Sequence, residues 1–248
     1  MEEIKEEIEI IDKDKEANRS KGEAWKTARA LEDQKTAEFM TPQDLYNKVL
    51  EIKDLRDRCF IIILYITAAR VSEVTRYKKV FYPKKKVRYA KLGKKLSKVK
   101  YIPDYSKKPE LLLLKSGIKK EDITYEQLNG EEIMVIRLRN LKNKQERIKL
   151  VPFKINDELA KKFKQIIDTY LLTVEDGYEL FPFEKRNGER IVSQIGFNPH
   201  FLRKLRLTHL VRYNNFSDQK LKTFAGWSDS RPSKHYIKIK WQDLVDSM

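Results

Sequence analysis

Arginine, lysine, histidine and tyrosine recur in four ordered patterns along this 248-residue chain. In Thr67-Ala68-Ala69-Arg70-Val71-Ser72-Glu73 an apolar helix ends and a single arginine is presented at the turn, where burying its guanidinium alone would be costly. Leu141-Lys142-Asn143-Lys144 through Val151-Pro152-Phe153 reads as a lysine-tipped hairpin. His200-Phe201-Leu202-Arg203, followed by Leu205, Leu207, Thr208, His209 and Leu210, reads as a basic helix with an apolar side. Phe224-Ala225-Gly226-Trp227-Ser228-Asp229 precedes Lys234-His235-Tyr236-Ile237. These side chains suit phosphate chemistry, because guanidinium forks neutralise phosphoryl oxygens and a phenol or imidazole can attack or move a proton. Other site chemistries lack material. Three histidines and one cysteine, Cys59, make no zinc pattern or disulfide, and no glycine-rich nucleotide loop is present.

The charge distribution points the same way. The chain holds 53 Lys+Arg against 37 Asp+Glu, a formal +16. The first 18 residues carry eight acids and three lysines, whereas Arg76 to Lys108 carries fourteen basic residues and one acid, Asp104, interleaved with tyrosines. A merely solvated surface would intersperse acids, so this stretch is expected to meet a polyanion, with Lys84, Lys85, Lys86, Arg88, Lys94 and Lys95 as contacts. The longest apolar run, Cys59 to Ala69, is 11 residues against the roughly 20 a membrane span needs, so it reads as a buried core helix. Met1 to Glu9 is charged from its second residue and lacks the apolar stretch of a secretory signal. A cytoplasmic, nucleoid-associated protein without membrane contact is the expectation.

The elements that must position these residues can be placed from caps and periodicity. Residues 1–40 are helix-prone and poor in large apolar side chains, which suggests a charged arm or linker. Thr41-Pro42-Gln43-Asp44 starts a helix, with Thr41 as N-cap and Asp44 closing a capping box, and opens a domain over 41–248. Asp57 to Ile66 reads as a buried helix, and Ser72 offers a further N-cap. Four prolines and glycines between 83 and 109 favour hairpins in a basic insertion spanning about 76–120. Strands are expected at Ile133 to Leu138 and Ile148 to Val151 around a turn from Asn140 to Glu146, then helices at Asp157 to Leu172, Pro199 to Tyr213, Asp218 to Ala225 closed by Gly226, and Pro232 to Trp241. The fold class expected is α+β, mainly helical, with a small antiparallel sheet.

Taken together, the four patterns resemble the tyrosine recombinase (phage integrase) family over about 41–248, most like integrases of archaeal viruses or plasmids. The family's first arginine box, T-G-L-R-x-S-E, is similar to Thr67 to Glu73, with Ala68 in place of glycine. Its second box, H-x-L-R-H-x-F-x-T-H-L, resembles His200 to Leu210, with Lys204 where the family has histidine. Its L-G-H-S region, with a tyrosine nine residues after the histidine, resembles Gly226-Trp227-Ser228 with Tyr236 nine beyond Trp227. A second H-x-x-R, ending at Arg212, lies 24 residues before Tyr236, whereas Arg203 lies 33 before it, near the family interval. Arg70 to Lys142 spans 72 residues where a family domain has about 30, which marks the basic stretch as largely an insertion.

The resemblance implies the recombinase catalytic-domain fold and cleavage and rejoining of double-stranded DNA through a 3′-phosphotyrosyl link to Tyr236, without metal or other cofactor. Arg70 and Arg203 would hold the phosphate, His200 would be the base, and Trp227 would donate its indole N–H, which cannot shuttle a proton. Lys142 or Lys144 would protonate the leaving 5′ oxygen. Glu73 would orient Arg70 or a neighbouring backbone group. A free monomer and a tetramer on two synapsed duplexes are implied. Relatives carry a separate helical domain before the catalytic one, so the chain is expected to be a catalytic fragment or a member that uses its insertion instead. Two alternatives stand beside this: type IB topoisomerase-like strand relaxation, and an idle DNA-binding module. Target sequence, integration against excision, and delivery of Tyr236 in cis or trans are not legible.

Overall fold

A computed structural model describes residues 40–89, 98–142 and 145–227. The expected arm, except for Met40, and the expected helix from Pro232 to Trp241 lie outside the described residues. The first helix, α1 (Pro42–Leu50), begins as its sequence requires. The Thr41 hydroxyl accepts from Asp44 N–H at 3.1 Å, and the Asp44 carboxylate accepts from Thr41 N–H at 2.8 Å. Helix α2 (Leu55–Thr67) is capped by Asp54 and is buried without a break from Cys59 to Thr67. Apolar on every side, it forms the middle of the molecule rather than one wall of it. Burial also pushes the Cys59 thiol well above its usual range, so it is unreactive packing.

Ala68 ends α2 in the left-handed region, with φ 48° and ψ 33°. The chain turns there and enters the single-turn helix α3 (Val71–Val74), which Arg70 rather than Ser72 precedes. The basic stretch then folds as nested antiparallel pairs. Strand β1 (Tyr77–Phe81) pairs with β4 (Leu111–Lys115), and β2 (Lys84–Tyr89) pairs with β3 (Lys98–Pro103) inside them. Its base is fastened to the core. Lys115 Nζ donates to the Glu73 carbonyl at 3.0 Å, Ile118 N–H donates to the Val74 carbonyl at 2.9 Å, and Arg76 pairs with Glu179.

A 3-10 turn (Lys120–Asp122) leads to a three-stranded sheet in the order β5 (Ile123–Leu128), β6 (Glu131–Lys142) and β7 (Gln145–Lys154). The β6–β7 hairpin is longer than expected, and Lys142 already pairs with Gln145. Ladder bonds join backbones, so polar side chains beyond Leu138 do not end the strands. Met134, Ile136 and Leu138 face inward across from Phe153, Val151 and Lys149. Helices α4 (Glu158–Leu171), α5 (Lys185–Ser193), α6 (Pro199–Asn214) and α7 (Asp218–Ala225) complete the described chain. Helices α1, α4, α5 and α6 and strand β7 all pack on α2. The class is α+β with helix predominating and all sheets antiparallel, and among the described residues no helix is long and apolar enough to cross a membrane.

Two packing details have measurable consequences. In α5, a Cβ on Gly188 would sit 2.7 Å from Phe60 Cζ and 2.7 Å from Val71 Cγ1. Replacing a mid-helix glycine by alanine gains about 1 kcal/mol of helix propensity, but overpacking a core costs about 1–3 kcal/mol. Gly188→Ala should therefore lower stability in denaturant titration. The second detail is a buried relay in which Tyr65 Oη donates to His209 Nδ1 at 2.7 Å and His209 Nε2 donates to the Met40 carbonyl at 2.8 Å. Burial, only partly opposed by the Met40 bond, pulls His209 down to about 4. The unfolded chain then binds a proton that the folded chain refuses. Stability should fall as pH drops from about 6.5 towards 4, and His209→Gln should flatten that part of the melting-temperature profile.

Candidate active site

Arg203 is the most constrained residue of the cluster. It lies on α6, 7% exposed, and its two terminal nitrogens donate to the carbonyls of Ala68 and, at 3.0 Å, Ala225. Ala68 closes α2 and Ala225 is the last residue of α7, so the guanidinium bridges the C-terminal ends of two helices. Carbonyls there have no helical partner and carry the negative end of the macrodipole. That pairing places the buried guanidinium against two groups that carry partial negative charge. The bond to Ala68 also ties Arg203 to a point two residues before Arg70.

Arg70 is held differently. Glu73, one turn on, accepts the Arg70 backbone N–H at 2.9 Å and its Nη1 at 2.9 Å. The carboxylate is buried while the guanidinium stays 50% exposed, so one face of Arg70 is braced and the other reaches outward. Glu73 thereby fixes the direction in which the Arg70 side chain leaves the turn. Its own backbone carbonyl is gripped from behind by Lys115.

Around the two arginines lie other expected residues. His200, at the exposed start of α6, has its ring held below the usual histidine range by desolvation first and then by the positive charges of Arg70, Arg203 and Lys185. It is therefore neutral at physiological pH and able to accept a proton. Trp227 is half-buried with its ring centroid 6.0 Å from Arg203 Cζ, which suits both packing and a donated N–H. Its loop is set by Gly226, which caps α7 at φ 68°.

Other expected positions are placed less fully or elsewhere. Lys142 ends β6. Lys144 and Tyr236 lie outside the described residues, as do Lys94 and Lys95. Lys84, Lys85 and Lys86 are exposed on β2, which also contains Arg88. They do not share a face. Opposite residues of an antiparallel pair lie on one side, so Lys84 and Lys86 group with Pro103 and exposed Tyr101, while Lys85 turns towards Asp104, 3.6 Å away. Among the described residues, no three His, Cys, Asp or Glu side chains cluster as a metal site.

One residue of the cluster escaped the sequence reading. Lys149 on β7 has a buried Nζ with no hydrogen-bond partner among the described residues. Burial pulls its ammonium down to about 8, opposed by Glu73 and reinforced by Arg203 and Arg70. The signal was in the strand period. Lys149, Val151 and Phe153 alternate onto one face, and the latter two are plainly core residues. Lysine in that series is the anomaly.

No protein-family model matches the chain, and no curated protein sequence matches it. Among solved structures, XerH site-specific recombinase bound to its difH substrate, in a pre-cleavage complex, matches with 15% identity and a TM-score of 0.47, over 81% of this chain and 49% of that one. XerA recombinase matches with 16% identity and a TM-score of 0.44, over 81% of this chain and 60% of that one. This chain thus spans about half to three fifths of the length of those two proteins. At this degree of likeness, function has to be read from the chain's own side chains.

Proposed function

We propose that this chain is a site-specific tyrosine recombinase, of the integrase kind found in archaeal viruses or plasmids, which cuts and rejoins double-stranded DNA through a 3′-phosphotyrosyl intermediate. The observation that supports this best is the meeting of Arg70 and Arg203 at the end of α2, with His200 and Trp227 beside them. Two guanidinium groups, one fixed and one half-exposed, suit a phosphodiester whose charge grows in the transition state. In this reading Tyr236 attacks phosphorus, His200 takes the phenol proton, and Trp227 donates to a non-bridging oxygen. Lys142 or Lys144 is the hairpin lysine assigned to the leaving oxygen. The broken strand keeps its bond energy in the tyrosyl ester, so a 5′ hydroxyl can rejoin it without a nucleotide cofactor.

The rest of the reading concerns binding. The domain over 41–248 carries the chemistry, and the basic ribbon of β1–β4 is the insertion that lies along the DNA. Lys84 and Lys86 reach phosphates while Tyr101 supplies an aromatic surface. Activity belongs in the cytoplasm where the DNA lies, and strand exchange needs four protomers on two duplexes, although the free protein is a monomer.

The direct test uses nicked duplexes with random sequence around the nick, from which covalent adducts are recovered in denaturant and their 5′ ends mapped. Wild type should yield adducts at a defined sequence and Tyr236→Phe none. Arg70→Ala should slow adduct formation by about 10²–10³-fold. Adduct surviving in Tyr236→Phe would end the assignment. The ribbon has its own measurement in the dependence of affinity on salt. Each phosphate contact contributes about 0.9 to the log–log slope, so Lys84→Ala with Lys86→Ala should reduce it by about 2, and Lys85→Ala alone by much less. An unchanged slope would remove the ribbon from the interface.

A further inference from the structure

Lys149 is in an unusual position for a lysine. Strand alternation puts it on the inward face of β7, opposite Leu138, which is 1% exposed. Its Nζ lies 5.2 Å from the centroid of the Phe224 ring, and its Cδ would be 3.8 Å from a Cβ on Gly226. Both belong to the segment whose Ala225 carbonyl receives Arg203. The charged groups that act on it are Glu73 from α3, Arg203 from α6 and Arg70 from the turn between α2 and α3. Phe224 and Gly226 add no titratable group. An ammonium has three donors and no acceptor, and among the described residues this one has no hydrogen-bond partner although its nitrogen is buried. A leucine would fill the position without that penalty. What distinguishes the site is that the charges of both arginines assigned to the phosphate act on it.

We propose, resting on the recombinase reading above, that Lys149 is a catalytic residue whose Nζ protonates the departing 5′ oxygen, in place of the hairpin-tip lysines. As the phenol oxygen forms its bond to phosphorus, the bond from phosphorus to the 5′ oxygen breaks. Its electron pair stays on that oxygen, which takes a proton from the Lys149 ammonium. The products are the tyrosyl phosphodiester, a 5′ hydroxyl and a neutral amine, while the phenol proton has gone to His200. On rejoining, the amine takes back the proton of the attacking 5′ hydroxyl. An ammonium that titrates near 8 is still charged at neutral pH yet is a better acid than an ordinary lysine at 10.5.

The test compares two linkages in the duplex recovered from the random pool: the natural one, and one with sulfur in place of the bridging 5′ oxygen. A thiolate leaves without a proton. Lys149→Met should slow cleavage of the oxygen linkage by about 10²–10³-fold, and cleavage of the sulfur linkage should return to within about threefold of wild type. Lys149→Arg keeps the cation but no releasable proton and should behave the same way. The wild-type rate should decline above about pH 8 on oxygen and stay level on sulfur.

Lys149 variants slow on both linkages, or unaffected on both, would overturn the proposal. So would sulfur rescue of Lys142→Ala or Lys144→Ala instead. Melting separates a brace from a proton donor. Lys149→Met should melt at or above wild type at pH 7, with the excess shrinking as pH rises from 8 to 10.5 and the wild-type amine sheds its charge. A large drop in melting temperature would mean that Lys149 is structural. A wild type that forms no adduct on either linkage would strike the recombinase reading itself, which is a different result from a wild type that cleaves and a Lys149 variant that is not rescued.

Discussion

A single buried cation joins three helices where the candidate chemistry is concentrated. Arg203 leaves α6 and donates to the carbonyls that end α2 and α7, so its position is set by the core and not by a flexible surface pairing. The bond to Ala68 depends on that residue taking a left-handed conformation, which turns its carbonyl away from the helix and the next residues towards the surface. For a residue with a Cβ this costs about 1–2 kcal/mol. A charge-assisted hydrogen bond is worth about 1.5–3 kcal/mol, enough to offset it. The position and exit angle of Arg70 follow from that same turn. One guanidinium is therefore immobilised by packing, and the other is braced along one edge by Glu73 and open along the rest.

Much of this was legible before any coordinates. Thr41 and Gly226 cap their helices as their residue types require, because capping is local chemistry. The unbroken apolar run after Asp57 could only be a central helix. Arg70 and Arg203 were singled out by spacing and resemblance, whereas the bond from Arg203 to the Ala68 carbonyl could not be read from the sequence because it depends on how α2 ends. What was missed is equally physical. Strand β5 is short and exposed on all but its first residue, so its pattern is faint. Helix α5 contains Asn187 and Gly188, poor helix formers, and the glycine is there because Phe60 and Val71 leave no room for a methyl group. Lys149 was passed over because a lysine near a hairpin is read as solubilising until its register is known.

The electrostatic arrangement of the cluster is one-sided. Arg70, Arg203 and Lys149 lie within electrostatic reach of one another and of the buried Glu73 carboxylate, which Arg70 donates to. Helix-end carbonyls add partial negative charge at Arg203, and three cations act on one another there. Such a cluster favours anything that brings negative charge, and it disfavours protonation of neighbours, as the lowered His200 shows. The same excess of charge that would bind a phosphodiester keeps the neighbouring imidazole free to take up a proton.

The pairing of Tyr77 with Lys115 sets the two ends of the basic ribbon side by side on one rung of a ladder. In such a ladder facing Cα atoms lie about 4.5–5.5 Å apart, a gap that a two-residue turn can close. The described strands beyond that rung thus form an appendage whose length does not enter the geometry of the central helices, provided that Lys115 stays in place to grip the Glu73 carbonyl. The ribbon and the cluster at the end of α2 are, in this architecture, separately adjustable. The ribbon's outer part can be lengthened, trimmed or exchanged without moving the helices that place Arg70 and Arg203.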